Sequence, residues 1–334
     1  MEMTMMRPVS RVLPSKALAF FLRPAHYLLV IAVAFSVSIH LTAQTASSSK
    51  AAPHKAESGQ KTFPTADAAS SALYDAAKSG DTDTLVAIFG PGGRDLVFSG
   101  DDVLDKNGRQ TFVDRYEQMH RLVPENATTE TLEIGAENWP LPIPIVKADG
   151  VWFFDTASGK EEVLYRRIGQ NEMNAIDTCA TLVGAQIEYA SEPREPSTKK
   201  VYAGKFLSDP GTRDGLYWKA DSDADASPIG PLIAEASAQG YQDKTAPYLG
   251  YFFRILTRQG PAAPGGTKDY LHDGELEHGF AFLAYPADYR NSGVMTFIVD
   301  KDGIIYQKDL GPNTASVAKA MTAYNPDKTW KKVQ

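Results

Sequence analysis

Between residues 170 and 190, apolar side chains recur at Met173, Ile176, Ala180, Val183, Ile187 and Ala190, at the steps of three and four that define one face of a helix. At a rise of about 1.5 Å per residue such a helix is about 30 Å long. A long helix with a single apolar stripe needs a surface to lie on. The sequence supplies one further on. Strand-like runs occur at 251–257, 280–285, 294–299 and 304–307, and Asp300-Lys301-Asp302-Gly303 turns the last two into a hairpin. A polar, proline-rich stretch over 191–247 reads as a loop. A short helix over 314–323 and a tail with Trp330 end the chain. The second half is thus expected to be one long helix packed on an antiparallel sheet.

The first half reads as a separate α+β unit. Thr65 is placed to cap a helix with Ala69, Leu73 and Ala76 on one face, and Phe63 to staple its start. Gly80 ends that helix, and Asp81 opens a second with Leu85, Ile88 and Phe89 inward. Gly90-Pro91-Gly92-Gly93 breaks the chain. Phe112, Tyr116, Met119 and Val123 predict a third helix over 109–122. Short strands are expected at 131–135, 143–147, 151–155 and 162–166, with Asp149-Gly150 as a hairpin turn. Three helices followed by a bent antiparallel sheet resemble the NTF2-like cone fold, in which helices close one side of the sheet around a pocket. With 334 residues there is enough chain for two cores. The expected division is a leader over 1–43, a flexible tether over 44–62, an NTF2-like domain over 63–168 and the helix-plus-sheet domain over 169–334.

The leader rests on Arg7, Arg11, Lys16 and Arg23, then an uncharged apolar run over 27–41, then small residues from Thr42 to Ser48. A basic region, a short apolar core and a small-residue exit fit a secretory signal peptide cleaved after Ala43. The apolar run is shorter than the about 20 residues of a spanning helix. The alternative is an uncleaved anchor; with cleavage no stable membrane span is expected, and the location read from the leader is periplasmic or secreted. The chain carries 34 basic and 41 acidic residues, and the leader holds four of the former and one of the latter. An acidic remainder gives no footprint for nucleic acid. Cys179 is the single cysteine, so no intramolecular disulfide can form, and its place on the long helix predicts a buried structural thiol.

Several phrases carry a family likeness. They are Trp139-Pro140-Leu141-Pro142-Ile143-Pro144, Trp152-Phe153-Phe154-Asp155, Arg166-Arg167-Ile168-Gly169-Gln170-Asn171-Glu172, Asp214-Gly215-Leu216-Tyr217-Trp218, Ser227-Pro228-Ile229-Gly230-Pro231, Gly250-Tyr251-Phe252-Phe253-Arg254-Ile255-Leu256 and Gly293-Val294-Met295-Thr296-Phe297. Together they resemble a bacterial family of exported proteins known as domain of unknown function 2950, over roughly residues 60–333. The resemblance implies export and brings no activity, cofactor or catalytic residue. Ala185-Gln186-Ile187-Glu188-Tyr189, followed later by residues 279–284 and 293–300, is also similar to the globular part of type IV pilin-like proteins. True pilins have a prepilin leader with a Gly-Phe cleavage site, which the leader here does not show.

Candidate chemistry is sparse. His272, Asp273, Glu275, Glu277 and His278 mix imidazole and carboxylate, but their spacing matches no standard zinc motif and reads as a solvated hairpin. Asp221, Asp223 and Asp225 start like a calcium loop, yet Ala226 and Leu232 stand where glycine and a bidentate glutamate are needed. No nucleophile elbow, Walker A loop or dinucleotide fingerprint occurs, so neither a catalytic residue nor a cofactor is assigned. The binding candidates are Trp139, Trp152, Asp155, Arg166, Arg167 and Glu172. The two tryptophans either line a pocket in the cone or fill its core. The two arginines either bind a carboxylate or phosphate, or clamp the two domains through Glu172 or Asp155. Three functions stay open: a non-catalytic envelope module that binds or assembles with an envelope protein or small ligand, an enzyme using Asp155 and Glu172 in the cone, and a pilus-associated minor subunit.

Overall fold

The computed structural model describes residues 55–220, 222, 225–243 and 245–333. The expected leader, most of the tether, and Asp221 and Asp223 lie outside them. Residues 51–334 form one compact unit with two hydrophobic clusters.

The fold is α+β. It opens with α1 (Ala66–Ser79) and α2 (Thr82–Phe89), capped as their sequences predict. Thr65 accepts from the Ala68 N–H, Gly80 turns left-handed at φ 72°, and Asp81 accepts from the Thr84 N–H. Residues 57–61, expected within the tether, are held down. Glu57 accepts from the Gly92 N–H, and the Gln60 amide donates to the carbonyls of Ile88 and Phe154. A 3-10 turn (Pro91–Gly93) and α3 (Arg94–Val97) lead to α4 (Asp102–Gln118).

Five strands follow: β1 (His120–Asn126), β2 (Thr129–Ile134), β3 (Trp139–Pro140), β4 (Ile145–Ala148) and β5 (Val151–Phe154). They form one antiparallel sheet in the order β1-β2-β4-β5, with β3 paired to β2. Two expectations shift here. The third helix starts at Asp102 rather than 109, because Asp101 caps it through the Leu104 N–H. It also stops at Gln118, since residues 120–126 pair as β1 with β2.

The largest correction is α5 (Thr156–Tyr189). Its 34 residues span about 50 Å at about 1.5 Å per residue. The strand expected at 162–166 is part of it, and position 168 falls in its middle. Its buried face also differs from the expected stripe. Ala175, Cys179, Leu182, Val183, Ala185 and Tyr189 enter the second cluster, while Met173 is 62% and Ile187 56% exposed. Polar residues share the buried face. The Gln186 amide donates to the Ala203 carbonyl at 2.8 Å and accepts from the Ala203 N–H at 2.8 Å. The Asn171 amide donates to the Ser292 carbonyl.

Beyond α5, α6 (Gly230–Ala238) lies within the expected loop. The second large sheet contains β6 (Tyr251–Leu256), β11 (Ala281–Pro286), β12 (Met295–Asp300), β13 (Tyr306–Asp309) and β14 (Lys331–Lys332), antiparallel in the order β14-β13-β12-β11-β6. Two small hairpins sit between, one joining β7 (Arg258–Gln259) to β8 (Lys268–Asp269), the other β9 (Leu271–His272) to β10 (Glu275–Leu276). Helix α7 (Thr314–Ala320) and α5 both contact β11, whose six residues are all buried. None of the described helices is long and apolar enough to cross a membrane.

Two glycines of α5 have opposite surroundings. A Cβ on Gly159 would lie 2.3 Å from the Pro142 carbonyl oxygen, whereas one on Gly169 would meet nothing within 4 Å. Gly159→Ala is expected to cost about 1–3 kcal/mol through overpacking. Gly169→Ala is expected to add about 0.5–1 kcal/mol of stability by removing a helix-interior glycine. Urea unfolding of the two variants checks the pair, and the same sign for both would refute this placement of α5. Burial pushes the Cys179 thiol up to about 12. The native protein should therefore resist a thiol-specific disulfide reagent at pH 8 and take up one equivalent once unfolded, as read by absorbance.

Candidate functional site

Helices α4 and α5 face a common space. On α4, Leu104, Gly108 and Phe112 recur at four-residue steps, with Asp105 and Arg109 beside them one turn apart. On α5, Val163, Arg167 and Asn171 repeat the same step. With Leu73 and Ala77 of α1, Leu85 and Phe89 of α2, and Trp139, Leu141, Pro142 and Ile143, they line an open cavity of about 530 Å³. Its walls are mostly apolar, and its volume is in the range of small-molecule sites, about 300–1,000 Å³.

Three ionisable side chains line it. Burial raises the Asp105 carboxyl above its ordinary value, partly offset by hydrogen bonding to Ser99, whose N–H donates to Oδ2 at 2.9 Å, and by Arg167 and Arg109. Burial also lowers the Arg167 guanidinium. Arg167 donates from Nη1 to the Asp95 carbonyl at 2.6 Å and Asn291 Oδ1 at 2.5 Å, and from Nη2 to the Leu96 carbonyl at 2.8 Å. Arg109 makes no ion pair or hydrogen bond with the described residues. Trp139 stands at the opening, 38% exposed. The Arg166 and Arg115 guanidiniums lie 5.1 and 5.5 Å from its ring centre.

Of the six residues singled out from sequence, Trp139 and Arg167 line this cavity, and Arg166 reaches it through Trp139 while pairing with Glu162 at 2.6 Å. The other three lie elsewhere. Trp152 exchanges backbone hydrogen bonds with Phe63 and carries Lys147 over its ring. Asp155 is buried at the start of α5, where Oδ2 accepts from the Ser158 hydroxyl. Glu172 Oε1 accepts from the N–H groups of Val294 and Met295 at 3.0 and 2.9 Å. Arg167 does join the two halves, though through carbonyls and Asn291 rather than Glu172 or Asp155. Sequence reasoning passes over Asp105 and Arg109. Their four-residue spacing on a helix is the available signal, and it is lost when the helix is begun at Arg109.

A second cavity, about 570 Å³, lies between α6, residues 241–243 and 245–248, and β6. Tyr217, Tyr241, Tyr248, Phe252 and Tyr285 dominate it. The Tyr241 hydroxyl donates to Asp101 Oδ2, and Arg254 donates to the carbonyls of Ala318 and Lys319. On the β9–β10 hairpin, Glu277 pairs with Lys199 at 2.7 Å and lies 3.4 Å from His272. Among the described residues no group of three or more His, Cys, Asp or Glu side chains is placed to hold a metal.

No curated protein and no solved structure matches the chain. Residues 60–333 match the family described as protein of unknown function (DUF2950), which takes in both hydrophobic clusters and the cavity between α4 and α5. The chain belongs to the DUF2950 family.

Proposed function

We propose that this chain is an exported, non-catalytic envelope protein that takes up a small, largely apolar ligand in the cavity between α4 and α5. The observation that carries this reading is the cavity itself, about 530 Å³ of mostly apolar wall with Asp105, Arg109 and Arg167 set into it. An open cleft of this size leaves apolar wall in contact with water. Charged groups beside unfilled apolar space lose hydration that packing alone does not return. A ligand with an apolar body and a polar end answers both costs. Asp155 and Glu172, the carboxylates an enzyme reading would enlist, line neither cavity and are engaged in hydrogen bonds elsewhere.

Gly108 offers a direct test. It lines the cavity within a helix, and a Cβ there would meet nothing within 4 Å. Gly108→Leu should keep or raise the melting temperature, since a helix-interior glycine costs about 0.8–1.0 kcal/mol relative to alanine. It should also abolish 1:1 uptake of an environment-sensitive apolar dye seen with the unsubstituted chain. Undiminished dye binding in a folded Gly108→Leu protein would place the ligand elsewhere.

Export rests on the basic, apolar and small-residue succession over residues 7–48. Mass spectrometry of the protein recovered from its native host should find a first residue close to Gln44. An intact Met1 in the cytosol would remove the envelope from this proposal, and cleavage at a prepilin-type site would favour a pilus subunit.

A further inference from the structure

We infer that the ligand of the α4–α5 cavity is an amphiphile with a single carboxylate head, seated with its apolar body against Leu73, Leu85, Phe89 and Phe112 and its head on Arg109. This inference rests on the binding role proposed above and adds the chemical class.

Charge balance leads to it. Two guanidiniums, Arg109 and Arg167, line the cavity against one carboxyl, Asp105. Among the described residues neither arginine has a carboxylate oxygen within 4 Å; Arg167 hydrogen-bonds two carbonyls and an amide oxygen, with Asp105, Asp95 and Asp288 acting on it from farther off. The Asp105 carboxyl already accepts from the Ser99 N–H, and it faces both arginines at once, beyond ion-pair distance of either. The lining is therefore short of negative charge, and Arg109 is the cation in it that no described residue pairs or hydrogen-bonds. Its planar fork of N–H donors matches two carboxylate oxygens. The opening extends the pattern. Arg115 and Arg166 flank Trp139, and the carboxylate paired there among the described residues is Glu162, on Arg166. Four arginines in the lining or beside Trp139, against the carboxylates of Asp105 and Glu162, leave a local positive excess in a chain whose formal charge is −7. Such a field draws an anion to the site.

The test compares three ligands of equal chain length on the purified protein, each below its micelle-forming concentration: dodecanoate, dodecan-1-ol and dodecylammonium. Isothermal calorimetry supplies the affinities and Trp fluorescence an independent readout. Dodecanoate should bind 1:1 and at least tenfold tighter than the alcohol, with the ammonium weakest. Arg109→Gln should lower dodecanoate affinity at least tenfold and leave the alcohol unchanged. Arg109 is partly exposed and makes no hydrogen bond to the described residues, so the variant should fold, which its melting curve verifies. Equal binding of acid and alcohol, or dodecanoate binding indifferent to Arg109→Gln, overturns the head assignment and leaves the cavity reading standing. Failure of all three ligands to bind overturns both.

Discussion

The polar face of α5 holds the rest of the structure together. The helix belongs to both hydrophobic clusters, with Val163 against the first and Ala175 through Tyr189 in the second. Between them, Arg167, Asn171 and Glu172 reach across to Asn291, Ser292, Val294 and Met295. The Asn171 and Glu172 contacts pair backbone groups of Ser292, Val294 and Met295 at the entry to β12. An unmet buried group costs about 1–3 kcal/mol, more than one hydrogen bond typically contributes. Gly250 shows how close the approach is. A Cβ there would lie 2.4 Å from Asn171 Nδ2, and the residue has φ 82°, so glycine suits the position twice over.

A second seam reinforces the first. The loop before α4 places the buried Asp101 so that Oδ1 caps the helix while Oδ2 accepts from the Tyr241 hydroxyl and the Gly250 N–H, each at 2.9 Å. Asn291 donates to the Phe98 carbonyl in the same loop. One aspartate thus fixes the start of α4 and docks it on the second sheet. The direction of α4 sets where Asp105 and Arg109 stand, so the cavity's charged lining depends on contacts made outside it.

The helix–sheet alternation and most of the longer strands are legible in the sequence, because Thr65, Gly80, Asp81 and Asp149-Gly150 are local signals that act where they occur. The phase of α5 is not. Reading only apolar residues finds Ile176 and Val183 but also selects the exposed Met173 and Ile187, whereas burial follows Thr178, Gln186 and Asn171 as much as Leu182. Polar side chains enter a core only when a particular partner awaits them. Here Ala203 and Ser292 serve Gln186 and Asn171, and they lie 17 and 121 residues away. The strand expected at 162–166 fails for a related reason. Val163 and Tyr165 suit a strand locally, but Thr156 onward is helical, and the Thr156 hydroxyl donates to the Phe89 carbonyl where the helix begins. Helix α6 is hidden by the proline at its second position, which a helix accepts in its first turn.

The same distinction accounts for the site. Trp139 and Arg167 stand out as conspicuous residue types, and both line the cavity. Asp105 and Arg109 are ordinary surface residues in any window of sequence. Their role arises because α4 is capped at Asp101 and therefore turns that face inward, toward Phe89 and Val163. Arg167 is the point where site and scaffold meet. It lines the cavity while bonding to Asp95, Leu96 and Asn291, so one guanidinium closes the wall, anchors α3 and ties both clusters. A lysine could supply the charge there but not three acceptor contacts in one plane. The geometry of the fold thus accounts for arginine at position 167, and leaves Arg109 as the lining cation without a hydrogen bond among the described residues.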